Sequence, residues 1–281
     1  MTIKIVTDST ADLSPELIKE LGITVVPLSV CFGKEVYRDR EEISEDDFYQ
    51  RLLQDPTHPT TTQPTPKDFA DVYNKLSKQA EGIISIHISE KLSGTCNSAL
   101  QGEILMENGC PIEVIDSKTT SMALGLLVIA AANIAKTGKS LPQVVEDVKQ
   151  VVSSIDLLVL FDTLKYLAKG GRIGKAKSLL GSVLNVRPLL TIKDGEFVPV
   201  GQVRSRSKGI ERLVNFVKDT VDIEDLAVVY STTPDEAKSL AERISSILPI
   251  KQVRIARLGP VLGVHGGPGV LVIALRRKIV S

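Results

Sequence analysis

The feature that most constrains the fold of this chain is an alternation of β-branched apolar runs with helical patterns. Residues 3–7, 83–88 and 112–115 have the composition of buried strands, and a segment with helical spacing follows each of them. Parallel strands need such crossover helices, which then cover both faces of the sheet. The pattern therefore predicts an α/β domain over residues 1–156, built on a mostly parallel sheet.

The second half of the sequence has a different pattern. Apolar runs flank a hairpin turn at Asp194-Gly195, and a basic amphipathic helix with its lead-in is predicted over residues 204–220. Such a mixture of hairpins and helices is typical of an α+β domain, which we expect over residues 157–281. We also expect a helix over residues 175–184.

Composition narrows the classes of function. Apolar residues make up 43% of the chain and charged residues 24%, as in ordinary globular proteins. The 34 basic and 34 acidic side chains balance and aromatic residues are only 4%, which argues against nucleic-acid binding. The three cysteines lack metal-like spacing, and no signal-peptide pattern precedes the first predicted strand. We therefore expect a soluble, cytoplasmic protein without a metal or an organic cofactor.

A Ser-Gly-Thr triplet, Ser93-Gly94-Thr95, stands between the predicted strand at residues 83–88 and a predicted helix at 96–106. Hydroxyls and unpaired N–H groups at the positive end of a helix suit a phosphate or a carboxylate. A serine that precedes a helix is, however, often only its N-cap. The residues alone leave both interpretations open.

Further segments carry polar groups that suit a binding site. Proline-rich residues 55–66, which include Thr61 and Thr62, predict a rigid extended loop, with a solvated linker as the alternative. A second loop is predicted over residues 259–269, where His265 would find few side chains to pack against. Arg172, after two glycines, either binds an anion or belongs to a structural turn.

Two Asp-Ser pairs follow predicted strands. Asp8-Ser9 comes directly after the first strand, and Asp116-Ser117 follows the strand at residues 112–115. Open α/β sheets bind ligands at the carboxyl ends of their strands. These residues are therefore either ligand groups or turn residues.

Signatures of catalytic sites are weak. A His-Gly-Gly loop is also found in esterase oxyanion holes, yet the chain has no Gly-x-Ser-x-Gly nucleophile elbow. The histidines, His58, His87 and His265, lie far apart, and no Cys-x-x-Cys pair or phosphate-binding glycine motif occurs. The residues thus favour a hydroxyl-rich binding site. A hydrolase or acyltransferase that uses Ser93 and His265 is the alternative.

Together these motifs resemble the DegV family, which includes the fatty-acid-binding subunit of bacterial fatty acid kinase. The matching segments span nearly the whole chain: Asp8-Ser9-Thr10-Ala11-Asp12-Leu13, Thr61-Thr62-Gln63-Pro64, Leu92-Ser93-Gly94-Thr95, Asp116-Ser117, Asp162-Thr163-Leu164, Gly170-Gly171-Arg172-Ile173 and His265-x-Gly-Pro-Gly269. The resemblance implies a two-domain protein with a long-chain fatty acid, such as palmitate, stearate or oleate, in a tunnel between the domains.

The resemblance also implies roles for single residues. Thr61 and Ser93 would hold the acyl carboxylate. Combined with the capping position inferred from the residues, this predicts that Ser93 caps the helix and holds the ligand at once. The site would also include Thr62, Gly94, Thr95, Arg172, His265 and Gly266. A separate ATP-dependent kinase subunit would phosphorylate the carboxylate, and Arg204 matches an arginine of the docking surface for that kinase. The protein itself would be non-catalytic and could contact membranes transiently. A lipid-sensing regulator is a further alternative.

This sequence departs from the family pattern at two places. Cys96 stands where an aromatic residue is common, and Gly267 replaces a more usual threonine. Both changes bear on the preferred acyl chain more than on carboxylate binding.

Overall fold

The structure, a computed structural model, describes residues 2–106, 109–179, 186–248 and 252–279. In chain order its strands are β1 (Ile3–Asp8), β2 (Thr24–Val26), β3 (Ser29–Phe32), β4 (Glu35–Arg38), β5 (Thr60–Thr62), β6 (Gly82–His87), β7 (Ile112–Asp116), β8 (Ile155–Leu160), β9 (Arg187–Lys193), β10 (Glu196–Val203), β11 (Ile223–Tyr230), β12 (Val253–Arg257) and β13 (Leu271–Arg277). Its helices are α1 (Pro15–Leu21), α2 (Glu45–Gln54), α3 (Pro66–Ser77), α4 (Thr95–Ile104), α5 (Ser121–Ala135), α6 (Leu141–Val152), α7 (Lys165–Lys169), α8 (Arg206–Asp219), α9 (Pro234–Ser245) and α10 (Pro260–Gly266).

The N-terminal sheet contains four strands in the order β2-β1-β6-β7, and every neighbouring pair is parallel. Local signals start and stop its crossover helices. The Ser14 hydroxyl accepts a hydrogen bond from the Leu17 amide at the start of α1, and Gly22 ends that helix with a left-handed φ of 68°. The parallel sheet predicted from the strand–helix alternation is confirmed.

The second sheet has six strands in the order β10-β9-β8-β13-β11-β12. Its neighbours are antiparallel except for the parallel pair β11–β12. Helices α8 and α9 pack on it through a separate apolar cluster. This arrangement confirms the mixed pattern expected for the second half. The predicted boundary near residue 156 falls inside β8, and the division into two domains stays a prediction.

Helix α5 lies between the two sheets and contacts β1 on one side and β8, β11 and β13 on the other. Nearly all of its residues are buried, and a single apolar cluster extends from β1 through α5 to β13. A helix that is apolar on every face needs such an environment. Within the described residues, no helix is both long and apolar enough to cross a membrane.

A small third sheet, in the order β4-β3-β5, packs with α2 and α10 around its own apolar cluster. It corrects two predictions. Residues 55–66, predicted as a loop, contain β5, because β3 supplies the backbone partner that pairs Thr61 with Val30. Residues 259–269, also predicted as a loop, contain α10. Glycine composition predicted the loop, but Gly263 is needed there because a Cβ atom would overlap Phe48.

A third prediction is corrected in part. The helix expected over residues 175–184 is a 3-10 helix over Gly174–Leu179, and residues 180–184 lie outside the described residues.

Candidate ligand-binding site

A cavity of about 360 Å³ lies between the N-terminal and C-terminal halves. This volume is within the usual range of small-molecule sites, roughly 300–1,000 Å³. Most of the wall is apolar and comes from both halves, including Leu28, Ile88, Leu92, Leu157, Val159, Phe161, Leu167, Phe197, Leu258, Val261, Val270 and Val272. Polar side chains also line it, among them Thr61, Thr62, Gln63, Ser93, Arg172 and His265.

Most of the polar residues lie near the opening of the cavity to solvent, whereas Thr120 and Ser121, which also line it, are buried. Thr62, Gln63 and Arg172 are exposed, and Thr61 and Ser93 are partly buried. The apolar wall residues, by contrast, are mostly buried. The cavity therefore suits an amphiphilic ligand whose polar group stays near the surface while its apolar part is enclosed.

Among the polar side chains that line the cavity, Thr61 and His265 contact each other. β5 carries Thr61 and α10 carries His265, and the Thr61 hydroxyl lies 3.0 Å from His265 Nε2. Burial, followed by the charges of Arg172 and His58, lowers the pKa of His265 to about 3. The imidazole is therefore neutral at neutral pH and carries a single N–H group.

Ser93 lies in the link between β6 and α4, beside the cavity. The prediction that Ser93 caps α4 is wrong, because the helix begins at Thr95 and Gly94 therefore occupies the N-cap position. The Ser93 hydroxyl lies instead 2.8 Å from the Thr95 hydroxyl. Ser93 lines the cavity, whereas Gly94 and Thr95 do not.

Gln63 is a site residue that the sequence reasoning missed. Its side-chain amide packs so closely on Gly94 that a Cβ atom there would overlap it, and its Nε2 donates to the Ser98 hydroxyl at 2.9 Å. The sequence signal for this contact is that one motif, Thr61–Pro64, contains a glutamine and the other, around Ser93, contains a glycine that leaves room for it.

Arg172 connects the C-terminal half to the Ser93 segment. Its Nε donates to the Leu92 carbonyl at 3.1 Å, and its Nη1 donates to the Gly170 carbonyl at 2.8 Å. The two glycines before it have different functions. A Cβ atom on Gly170 would overlap the His265 ring, whereas Gly171 adopts a left-handed φ of 70°.

Gly266 lines the cavity next to His265, at the end of α10. Arg204, by contrast, is exposed just before α8 and does not line the cavity. The prediction that 259–269 leaves His265 with few packing partners is also wrong, because the ring is enclosed between Gly170 and Thr61.

The two Asp-Ser pairs have structural contacts. The fully buried Asp8 accepts hydrogen bonds from the amides of Thr10 and Ile88, both at 3.0 Å, and lies 3.0 Å from His87 Nδ1. Asp116 accepts from the Lys118 amide at 2.9 Å, within a turn. Neither aspartate lines the cavity.

The geometry does not pair the two residues that a hydrolase would need. His265 Nε2 contacts Thr61, and the Ser93 hydroxyl contacts Thr95. A pKa of about 3 also makes His265 a weak general base at neutral pH. In the part of the chain that the structure describes, no three His, Cys, Asp or Glu side chains are grouped so that they could hold a metal ion.

The chain is similar to known proteins over nearly its full length. A family model described as an uncharacterised protein of the DegV family matches residues 2–278. A DegV domain-containing protein of Deinococcus radiodurans is 36% identical over 278 residues, which cover 98% of each chain.

Solved structures show the same similarity. A Thermus thermophilus DegV family protein described as binding fatty acid is 33% identical, with a TM-score of 0.92 over 99% of this chain and 100% of that one. A stearic acid-binding protein of Eubacterium ventriosum is 30% identical, with a TM-score of 0.90 over 98% of each chain. Because the family model and these relatives cover almost every residue, the chain belongs to the DegV family.

Proposed function

We propose that this protein binds one long-chain fatty acid, such as palmitate, stearate or oleate, and presents its carboxylate to a separate ATP-dependent kinase. The observation that carries the proposal is a cavity with a mostly apolar wall and a group of hydroxyl-bearing side chains near solvent. Relatives described as binding fatty acid or stearic acid share the fold, which supports this ligand class. The ligand would lie between the predicted domains, residues 1–156 and 157–281.

The apolar wall provides most of the affinity in this proposal. Burying one methylene group contributes roughly 0.8 kcal/mol, so a C16 tail contributes on the order of 10 kcal/mol before ordering costs. Side chains such as Leu157, Val159 and Val272 line the interior and offer no group to pair with a charged ligand. The tail therefore determines how tightly the ligand binds, and the mouth determines its orientation.

Hydroxyl groups at the mouth hold the carboxylate. With its N–H on Nε2, neutral His265 donates to the Thr61 oxygen and leaves the Thr61 O–H free to donate to the ligand. Ser93 supplies a second donor, and the Arg172 guanidinium adds positive charge nearby. A hydrogen bond to a charged group contributes about 1.5–3 kcal/mol, and neutral donors leave a carboxylate oxygen available for reaction.

The reaction itself takes place in the partner. A carboxylate oxygen attacks the γ-phosphorus of ATP, and an O–P bond forms while the bond between that phosphorus and ADP breaks. The exposed Arg204 belongs to the proposed docking surface for the kinase. This role requires ATP and therefore a cytoplasmic location. The protein contributes no catalytic residue, and the hydrolase alternative is weaker because Ser93 and His265 contact other hydroxyls.

The proposal is tested by reconstitution with the ATP-dependent kinase of the same organism. Delipidated protein is loaded with palmitate, and acyl phosphate is trapped as a hydroxamate after ATP is added. We expect Ser93→Ala to lower palmitate affinity and product yield by about tenfold, since it removes one donor to a charged group. Ser153→Ala, at the residue that follows α6, is the matched control and should behave as the wild type. Palmitate binding without acyl phosphate would favour a lipid sensor, and absence of palmitate binding would contradict the proposal.

A further inference from the structure

Two buried carboxylates hold the N-terminal end of α10, the helix that carries His265. The Gly259 amide donates to Asp12 Oδ1 at 2.9 Å, and the Val261 amide donates to Asp39 Oδ1 at 3.4 Å. Both aspartates are only 2% exposed, and neither lines the cavity. A fully buried acid that contacts no ligand needs another reason for its position.

Asp12 is the centre of a network that joins the two halves of the chain. Arg40 Nη2 lies 2.9 Å from Asp12 Oδ1 and also donates to the Arg257 carbonyl at 2.6 Å. The Ser121 hydroxyl donates to Asp12 Oδ2 at 2.6 Å. The guanidinium of Arg40 also pairs with Glu45 on α2 at 3.3 Å. The first amide groups of α10 are therefore held by residues far away in the sequence.

The backbone of this network is strained. Asp12, Arg40 and Ser121 all have left-handed φ angles, of 53°, 63° and 55°. Residues other than glycine adopt this conformation at a cost that surrounding contacts offset, and such conformations are often found at functional sites. Asp12 contacts both Arg40 and Ser121, so the contacts of the network hold three residues in this conformation at one place.

The helix transmits this geometry to the ligand site. α10 has seven residues, and Gly263 packs against Phe48 and Tyr49 without room for a Cβ atom. His265 lies on the last turn, where its Nε2 contacts Thr61. A rigid helix held at its first amides and along one face leaves its last turn little freedom to shift.

We propose that Asp12 and Asp39 are positioning residues, which set the strength of carboxylate binding by fixing α10 and therefore His265. This inference rests on the proposed function, because it concerns how the acyl carboxylate is held. It adds two residues that do not themselves line the cavity. Asp39 acts through the helix, and Asp12 also accepts a hydrogen bond from Ser121, which lines the cavity.

The test compares two ligands with the same tail, hexadecanoic acid and 1-hexadecanol. Asp39→Ala removes the acceptor of the Val261 amide, and it should weaken binding of the acid by about tenfold and leave binding of the alcohol nearly unchanged. Asp39→Asn keeps an acceptor oxygen and should restore affinity for the acid. Asp116→Ala, at a turn that does not contact α10, is the matched control. Equal weakening of both ligands, or no weakening, would overturn the inference.

A double-mutant cycle identifies the route of the effect. In a His265→Ala background, Asp39→Ala should cause no further loss of acid affinity, whereas additive losses would contradict an effect through His265.

If Asp39→Ala does not fold, hydrogen exchange on the wild type tests the same coupling. Hexadecanoic acid should slow exchange of the Gly259 and Val261 amides more than 1-hexadecanol does, since coupling between two sites is reciprocal. Equal slowing by both ligands would refute the inference. A wild type that binds neither ligand would refute it together with the proposed function, whereas tight acid binding that Asp39→Ala leaves intact would refute the inference alone.

Discussion

Gly170→Ala is a direct test of the role of His265. Gly170 has a φ of −78° and a ψ of −3°, a conformation that alanine adopts without strain. A Cβ atom at this position would nevertheless overlap the His265 ring. Because the ring has Gly170 on one side and the Thr61 hydroxyl at 3.0 Å on the other, we expect it to shift and lose its contact with Thr61.

The expected loss concerns the carboxylate alone. Without His265, the Thr61 hydroxyl is no longer oriented toward the ligand, and one charge-assisted hydrogen bond of about 1.5–3 kcal/mol is lost. The dissociation constant for hexadecanoic acid should then rise by about 10- to 150-fold. The apolar wall is unchanged, so the affinity for 1-hexadecanol should stay within about twofold of the wild-type value. Such a change in binding free energy is much smaller than the roughly 1.4 kcal/mol that corresponds to a tenfold change.

Equilibrium dialysis with the two ligands measures both constants, and the neighbouring glycine provides the control. A Cβ atom on Gly171 would meet no other atom within 4 Å, but the φ of this residue is left-handed, at 70°. Gly171→Ala should therefore lower the free energy of unfolding by about 1–2 kcal/mol and leave acid affinity unchanged. Wild-type acid affinity in Gly170→Ala, or equal losses for the acid and the alcohol, would refute the role of His265.

Three other substitutions test the stability of the protein and its contact with the kinase separately from fatty acid binding. Tyr73→Phe removes the hydroxyl that donates to Ser85, so urea titration should show a loss of about 1 kcal/mol with unchanged palmitate affinity. Burial raises the pKa of Asp39 to about 7, so the native state keeps a proton that the unfolded chain releases near pH 4. Stability should therefore fall as the pH rises from about 4 to 7, and Asp39→Asn should make this slope shallower in thermal unfolding. Part of the slope should remain, because burial also raises the pKa of Asp12. Arg204→Glu should lower acyl phosphate formation with the kinase at unchanged palmitate affinity. A slope in Asp39→Asn as steep as in the wild type, or altered affinity in either of the other two variants, would contradict these assignments.

Local sequence patterns predicted much of the fold. The errors occurred where contacts between residues far apart in the sequence determine the secondary structure. The strands of the N-terminal sheet and helix α1 follow from apolar periodicity and from caps such as Ser14 and Gly22. α10 could not be predicted in this way, because its glycine-rich sequence is stabilised by packing on α2 and by Asp12 and Asp39. β5 is likewise a strand only because β3 lies beside it.

The sequence indicated which residues to consider for the site better than it indicated how they are arranged. Motif resemblance selected Thr61, Ser93, Arg172 and His265, which all line the cavity, and their role in binding stays a prediction. The chemistry of the residues alone left the anion undefined. The cap assigned to Ser93 was wrong because α4 begins one residue later than that assignment requires. The apolar wall could not be predicted, since it is assembled from strands and helices of both halves that meet only in the folded chain.

The central claim is that the cavity holds one fatty acid, and native mass spectrometry tests it most directly. The protein is purified from bacteria, and its spectrum is recorded before delipidation and after reloading with palmitate. We predict an adduct with the mass of one long-chain fatty acid per chain before delipidation, and one palmitate per chain after reloading. A protein that carries no lipid when purified and takes up no palmitate would contradict the claim.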